Sequence, residues 1–127
     1  MSTLRTNALE GMDAKNSITI VAGAGNITTT NVQEGLAKSS IRCPDTGASI
    51  TSSFNITSLT DVSTGRTTVI IANNMADATY AVAECTDENI NQSWCDDLAT
   101  GQYDHDTYDG SSYQDIGKMS QIFGDLA

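Results

Sequence analysis

Between Arg66 and Lys118 the chain contains no lysine or arginine, yet ten carboxylates fall there: Asp77, Glu84, Asp87, Glu88, Asp96, Asp97, Asp104, Asp106, Asp109 and Asp115. This stretch is the first place to look for chemistry. Asp104-His105-Asp106-Thr107-Tyr108-Asp109-Gly110 has the outline of a calcium loop. An EF-hand loop needs acidic or amide ligands at alternate positions before its glycine, and a distant bidentate Glu. Here the third Asp is one place late and no Glu follows, so the expectation is a solvated acidic loop and no metal site. His105 is the sole histidine. Zinc needs several nitrogen or sulfur ligands, and Cys95 with aspartates is a weak set; the expected place for His105 is a surface loop.

Catalysis finds little else to use. Serines are plentiful but none sits in Gly-x-Ser-x-Gly, and a single histidine would have to serve every nucleophile–base scheme. Two carboxylates suffice for glycoside hydrolysis, and the acidic stretch offers many, but such enzymes need a deep cleft and usually a longer chain. No catalytic residue and no cofactor is assigned. The same stretch does offer contact chemistry. Trp94, Tyr103, Tyr108 and Tyr113 are most of the aromatic residues present. Flat rings beside Asp, Asn and Gln supply contact area at small entropic cost, as on sugar- and protein-binding surfaces. The alternative is that Trp94 and some tyrosines fold this segment onto a sheet.

Bulk properties narrow the classes. The formal charge of −10 over 127 residues argues against nucleic acid, whose phosphates require basic residues, and against an anionic membrane surface. The acidic run reads either as a solvated, self-repelling face or as a cation-dependent contact surface. No apolar run is long enough to span a bilayer, and the N-terminus lacks the apolar region of a secretory signal. Only 39% of residues are hydrophobic. A single copy would have a thin core, which points to an oligomer. Cys43, Cys85 and Cys95 are an odd number, so a complete disulfide framework is excluded. Cys43 and Cys85 sit in strand-like text and read as buried; a Cys85–Cys95 bridge is the alternative for that pair.

The elements that must carry these residues are strands. Ser53 to Cys85 reads as a three-strand antiparallel meander. Phe54 and Ile56 alternate with Asn55 and Thr57, and Thr67 to Ile71 is a β-branched run. Turns fall at Asp61–Gly65 and Asn73–Asp77. Lys38 to Cys43 is an earlier strand, closed by Pro44-Asp45-Thr46-Gly47. Ala48 to Thr60 is a long strand with a break near Thr51–Ser53, and Ile116 to Ala127 closes the sheet. Upstream, Ser17–Ala22 and Ile27–Thr30 form a short hairpin, and Asn31 to Ala37 a turn of helix. Asp87 to Asp115 is left as a long polar insert. The reading is an all-β antiparallel sandwich, jelly-roll or Greek-key-like. Residues 1–37 form an N-terminal arm and residues 38–127 the sandwich, with its acidic, aromatic insert at 87–115.

Several segments carry a family resemblance: Glu34-Gly35-Leu36-Ala37-Lys38, Ser53 to Asp61, Gly65-Arg66-Thr67-Thr68-Val69, and Met75-Ala76-Asp77-Ala78-Thr79-Tyr80-Ala81-Val82. Met1 to Asn7 and Ile122-Phe123-Gly124-Asp125 extend it to both ends. This pattern resembles the small β domain that ends many tail-fibre-like virion proteins of marine bacteriophages. The resemblance implies a non-enzymatic structural protein of a phage virion: a homotrimeric short tail fibre, spike or surface appendage that contacts a host glycan or protein. Its thiols would be free, being made in a reducing cytoplasm. Leu4, Leu9 and Met12 would then attach the arm to other virion proteins; otherwise they belong to a terminus ordered only in an assembly. The alternatives are a capsid decoration or tail-joint scaffold, and a small polysaccharide depolymerase. The insert is where the chain departs most from the family's form.

Overall fold

In the computed structural model, residues 19–21, 29–31, 35–44, 49–88 and 92–127 are described. Leu4, Leu9 and Met12 lie outside them, as do residues 32–34 of the expected helical turn and residues 45–47 of the Pro44 turn. The chain divides into two compact units, residues 1–36 and 37–127. In the first, β1 (Thr19–Val21) pairs antiparallel with β2 (Thr29–Asn31), Ile20 opposite Thr30.

The second unit is a two-sheet antiparallel sandwich. Its strands are β3 (Ser39–Cys43), β4 (Ser52–Phe54), β5 (Ile56–Ser63), β6 (Arg66–Ile71), β7 (Ala81–Thr86), β8 (Gln92–Ala99), β9 (Gln102–Tyr108) and β10 (Lys118–Phe123). One sheet has the order β4-β3-β10-β7 and the other β5-β6-β9-β8. The last strand returns to lie between the first and β7, so that β7 to β10 close as a Greek key. Among the described residues no helix is long and apolar enough to cross a membrane.

The sequence pattern explains the pairing at the centre of each sheet. Thr67, Val69 and Ile71 on β6 alternate inward with Thr68 and Ile70 outward. On β3 and β10 the inward sets are Ser39, Ile41, Cys43 and Lys118, Ser120, Ile122. β-Branched residues suit such pleated, half-buried positions. Ile41, Val69, Ile71, Met75, Tyr80, Tyr103 and Ile122 form the apolar cluster between the sheets. Toward the other end of the same interior the residues become polar. Lys118 Nζ donates to Thr67 Oγ1 at 2.8 Å, and Tyr103 OH and Ser120 Oγ are 2.6 Å apart.

Three expectations about the strands fail for identifiable reasons. The meander from Ser53 to Cys85 does not stay in one sheet: β5 pairs with β6, but β7 crosses over and pairs with β10. The long strand breaks at Asn55 rather than near Thr51–Ser53. Asn55 has φ 57°, a left-handed conformation that Asn tolerates better than most residues. Its side chain fixes the crossing: Oδ1 accepts from Asn73 N at 2.8 Å, and Nδ2 donates to Lys38 O at 3.0 Å. The polar insert at 87–115 is mostly sheet. β8 and β9 form a hairpin, and β9 pairs with β6 in the middle of the second sheet.

Candidate functional site

The candidate site is the outward face of the β5-β6-β9-β8 sheet, and strand parity builds it. On β9, Tyr103, His105 and Thr107 point into the sandwich, while Asp104, Asp106 and Tyr108 point out. Register then places Asp104 beside Asp96 of β8 and Thr68 of β6, and Asp106 beside Trp94 and Arg66. Arg66 Nε donates to Asp106 Oδ2 at 2.9 Å, and Thr68 Oγ1 donates to Asp104 Oδ1 at 2.6 Å.

The segment after β9 completes the face. Asp109 Oδ1 accepts from Ser111 N and Oγ, both at 2.8 Å, and from Ser112 N at 2.9 Å, while Oδ2 accepts from Gln114 Nε2. These donors hold the Asp109 carboxyl down at about 2, because each stabilises the charged form. The turn brings Tyr113 back beside Tyr108. Asp115 Oδ1 ties the segment to the β5–β6 turn by accepting from Gly65 N at 2.6 Å. Gly65 has φ +73°, and a Cβ there would sit 2.7 Å from Gln114 N. Only glycine permits this approach.

The result is an aromatic cluster over a neutralised acid. Tyr113 packs edge-on to Tyr108, centroids 5.5 Å apart, and lies 6.1 Å from Trp94 at 55°. The Arg66 guanidinium stands 5.6 Å from the Tyr113 centroid, a cation–π contact. Asp106 beneath it is fully buried. Burial pushes its carboxyl up, against the opposing pull of Arg66. Trp94 Nε1 donates to Asp96 Oδ2 at 3.1 Å. The ligand atoms of Asp96, Asp97 and Asp104 lie within 4.8 Å of one another, the one such group among the described residues that could hold a cation.

Of the four aromatic contact residues expected from sequence, this face gathers Trp94, Tyr108 and Tyr113. Tyr103 is a correction: it is completely buried and packs in the core, because it sits on the opposite parity of β9. Arg66 and Asp106 were not anticipated. The available signal was that Arg66 and Lys118 bound the cation-free stretch, so carboxylates that become buried must turn to these two.

His105 is a second correction. It lies in the interior, 1% exposed, instead of in a surface loop. Its Nε2 is 2.9 Å from Ser93 Oγ and 3.4 Å from Glu84 Oε2, and Ser93 Oγ donates to Glu84. A Ser-His-Glu set invites comparison with a hydrolase triad. The geometry is wrong: a triad needs the acid on Nδ1 and the serine on Nε2. Here both partners address Nε2, and Nδ1 is buried without a hydrogen-bond partner among the described residues. Burial, with the nearby charge of Lys118, lowers the imidazole to about 4, so it is neutral at pH 7. The cluster is a structural tie between β7, β8 and β9.

The cysteines complete the corrections. All three are free, so no Cys85–Cys95 bridge exists; Cys43 is buried as expected, but Cys85 is exposed on β7. Burial raises the Cys95 thiol to about 12, which leaves it unreactive at neutral pH. Asp104 and Asp106 lie in a strand, so the calcium-loop outline does not correspond to a loop. Fold and face together define an all-β two-sheet sandwich that displays an ordered aromatic and carboxylate surface. Set against known proteins, the chain matches no family model, no curated protein and no solved structure.

Proposed function

We propose that this chain is a non-enzymatic structural protein of a phage virion. It acts as a homotrimeric short tail fibre, spike or surface appendage, with other virion proteins as partners of its N-terminal segment, and contacts the host surface through Trp94, Tyr108 and Tyr113. One observation carries the contact assignment: three rings share an outward face and are held there by Arg66, Asp106 and the Asp109 turn. Rings fixed before binding lose little entropy on contact, which suits them as anchors. Weak contacts repeated over several copies then add through multivalency. The virion context rests on the resemblance of residues 34–38, 53–61, 65–69 and 75–82. The non-enzymatic reading is supported by the mismatched Ser93–His105–Glu84 geometry.

Particles carrying Trp94→Ala or Tyr113→Ala test this reading. The expected result is normal particle yield with host adsorption reduced tenfold or more. Lost particle assembly with these variants would favour the decoration or tail-joint scaffold instead. Unchanged adsorption would remove the aromatic face from the argument.

A further inference from the structure

The outer face of the β5-β6-β9-β8 sheet holds a charge imbalance that its own side chains do not resolve. Its four strands carry Asp61, Asp96, Asp97, Asp104 and Asp106 against one cation, Arg66. Arg66 is already taken by Asp106. These strands have no second cation for Asp96, Asp97 and Asp104, whose ligand oxygens gather within 4.8 Å of one another.

A bulge builds this group. Successive side chains of a regular strand point to opposite faces. β8 carries one extra residue between Asp96 and Ala99, and Asp97 within it has φ 46°. The extra residue brings the Asp97 carboxyl round to the side of Asp96, and register brings Asp104 from β9. Two donors then fix the inner carboxylates: Trp94 Nε1 donates to Asp96 Oδ2, and Thr68 Oγ1 donates to Asp104 Oδ1. Metal-binding carboxylates are commonly oriented by such neighbours.

Two oxygens at this group lack partners. Asp96 Oδ1 is buried and has no hydrogen-bond partner among the described residues. The Asp106 side chain is 1% exposed, and its Oδ1 is in the same condition. Asp106 stands two residues from Asp104 on the same face, and the charges of Asp96 and Asp104 both reach it. A buried carboxylate oxygen without a donor has given up its hydration for nothing. Two of them beside converging like charges call for a positive ion. Oxygens no more than 4.8 Å apart can all lie about 2.3–2.6 Å from one centre, the distance calcium prefers.

We propose that Asp96, Asp97 and Asp104 bind a divalent cation, calcium before magnesium, on the outer face of the β8–β9 hairpin, with Asp106 adding negative charge beside it. Magnesium fits less well, because it demands near-ideal octahedral geometry at shorter distances. The site is not the loop outline of residues 104–110, from which it takes Asp104 alone as a ligand. It requires no virion and no host contact.

Trp94 is the sole tryptophan and hydrogen-bonds to Asp96, so it reports on the site. The full chain is titrated with Tb³⁺, a luminescent substitute for calcium, under excitation of Trp94, and Ca²⁺ is added as competitor at constant ionic strength. The expected result is sensitised Tb³⁺ emission that Ca²⁺ displaces, with a Ca²⁺ dissociation constant on the order of 10⁻⁴–10⁻³ M, the weak end of calcium sites. Ca²⁺ should also raise the urea midpoint of the wild type. Asp97→Asn keeps a residue type that tolerates the left-handed backbone and should weaken Ca²⁺ binding about tenfold or more, as should Asp104→Asn. A wild-type chain with no displaceable emission and no midpoint shift up to about 10 mM Ca²⁺, above that range, overturns the proposal. So does emission undiminished in Asp97→Asn, or a midpoint shift that Na⁺ at matched ionic strength reproduces, since diffuse screening of an acidic surface would then account for it. If Asp104→Asn does not fold, Asp97→Asn, at an exposed position, still decides.

Discussion

The two faces of the β5-β6-β9-β8 sheet handle polar residues in opposite ways. Inward, Thr67, His105, Thr107 and Tyr103 are neutral and use hydrogen bonds to protein partners: Ser120 for Tyr103, Lys118 for Thr67, Ser93 for His105. Outward, the same strands carry Arg66, Asp96, Asp104 and Asp106, and charge pairing and ring stacking organise them. Burying an ion costs far more than burying a hydroxyl. The inner face therefore keeps His105 uncharged, and Asp106, the one carboxylate buried among the described residues, has a guanidinium beside it. Residue type alone did not decide the role of any tyrosine here; position parity on a strand did.

The largest effect that would test this contrast comes from Tyr103→Ala. Removing a fully buried ring should cost about 3–5 kcal/mol, read as a fall in the urea midpoint at constant m-value. On the function proposed above, host adsorption would fall with it, through loss of fold. Tyr113→Ala, on the outer side, should leave the midpoint within about 1 kcal/mol of wild type. Equal destabilisation by the two variants would mean that the outer rings are core as well.

Next comes acid. His105 is held at about 4 in the fold against an ordinary 6.5, so the unfolded chain binds its proton first. Stability from this group is complete above about pH 6.5 and declines as pH falls toward 4, by about 3 kcal/mol in all. Asp106 acts in the other direction: burial raises its carboxyl, so the folded form takes up a proton before the unfolded one does. Urea titrations at pH 7, 5.5 and 4.5 should show the decline, and His105→Asn should flatten it. A slope unchanged by that substitution would place the acid sensitivity elsewhere.

Arg66→Ala tests the outer face. It leaves Asp106 buried and unpaired, so the urea midpoint should fall, by less than for a fully buried pair because Arg66 is partly exposed. It also removes the cation from Tyr113, so on the proposed function adsorption should fall together with stability. Arg66→Ala combined with Asp106→Asn should recover part of the stability.

Much of the sandwich could be read from the residues, because β3, β6 and β10 alternate aliphatic or β-branched residues with polar ones. The β8–β9 hairpin could not be read from hydropathy. On β9 the inward set is Tyr, His and Thr and the outward set Asp, Asp and Tyr, so polarity barely alternates and the period-2 signal is faint. Nor does the two-residue link Thr100-Gly101 carry the usual hairpin signal, since neither residue takes a positive φ. The passage of β7 to the other sheet depends on pairing with β10, over thirty residues downstream, and no local pattern specifies it. Trp94, Tyr108 and Tyr113 were found as contact candidates from type alone. Arg66 and Asp106 required the register between β6 and β9, which no single segment contains.

The finest test removes the same atom from both sides of one strand. Tyr103→Phe deletes a buried hydroxyl and leaves Ser120 Oγ, itself buried, without that partner. A net loss of about 1 kcal/mol follows, since a buried acceptor or donor left alone gives up its solvation as well as its bond. Tyr108→Phe deletes a hydroxyl from the outer side of the same strand, at a half-buried residue, and should change stability by less than about 0.5 kcal/mol. Both variants keep their ring, so packing is nearly constant and the difference isolates the side of the sheet on which the hydroxyl lies. Parallel urea titrations with midpoints resolved to about 0.1 M would separate them at ordinary m-values for a domain of this size. Indistinguishable midpoints would mean that the interior around Ser120 admits water, and that the two faces differ less in dielectric than their hydrogen bonding implies.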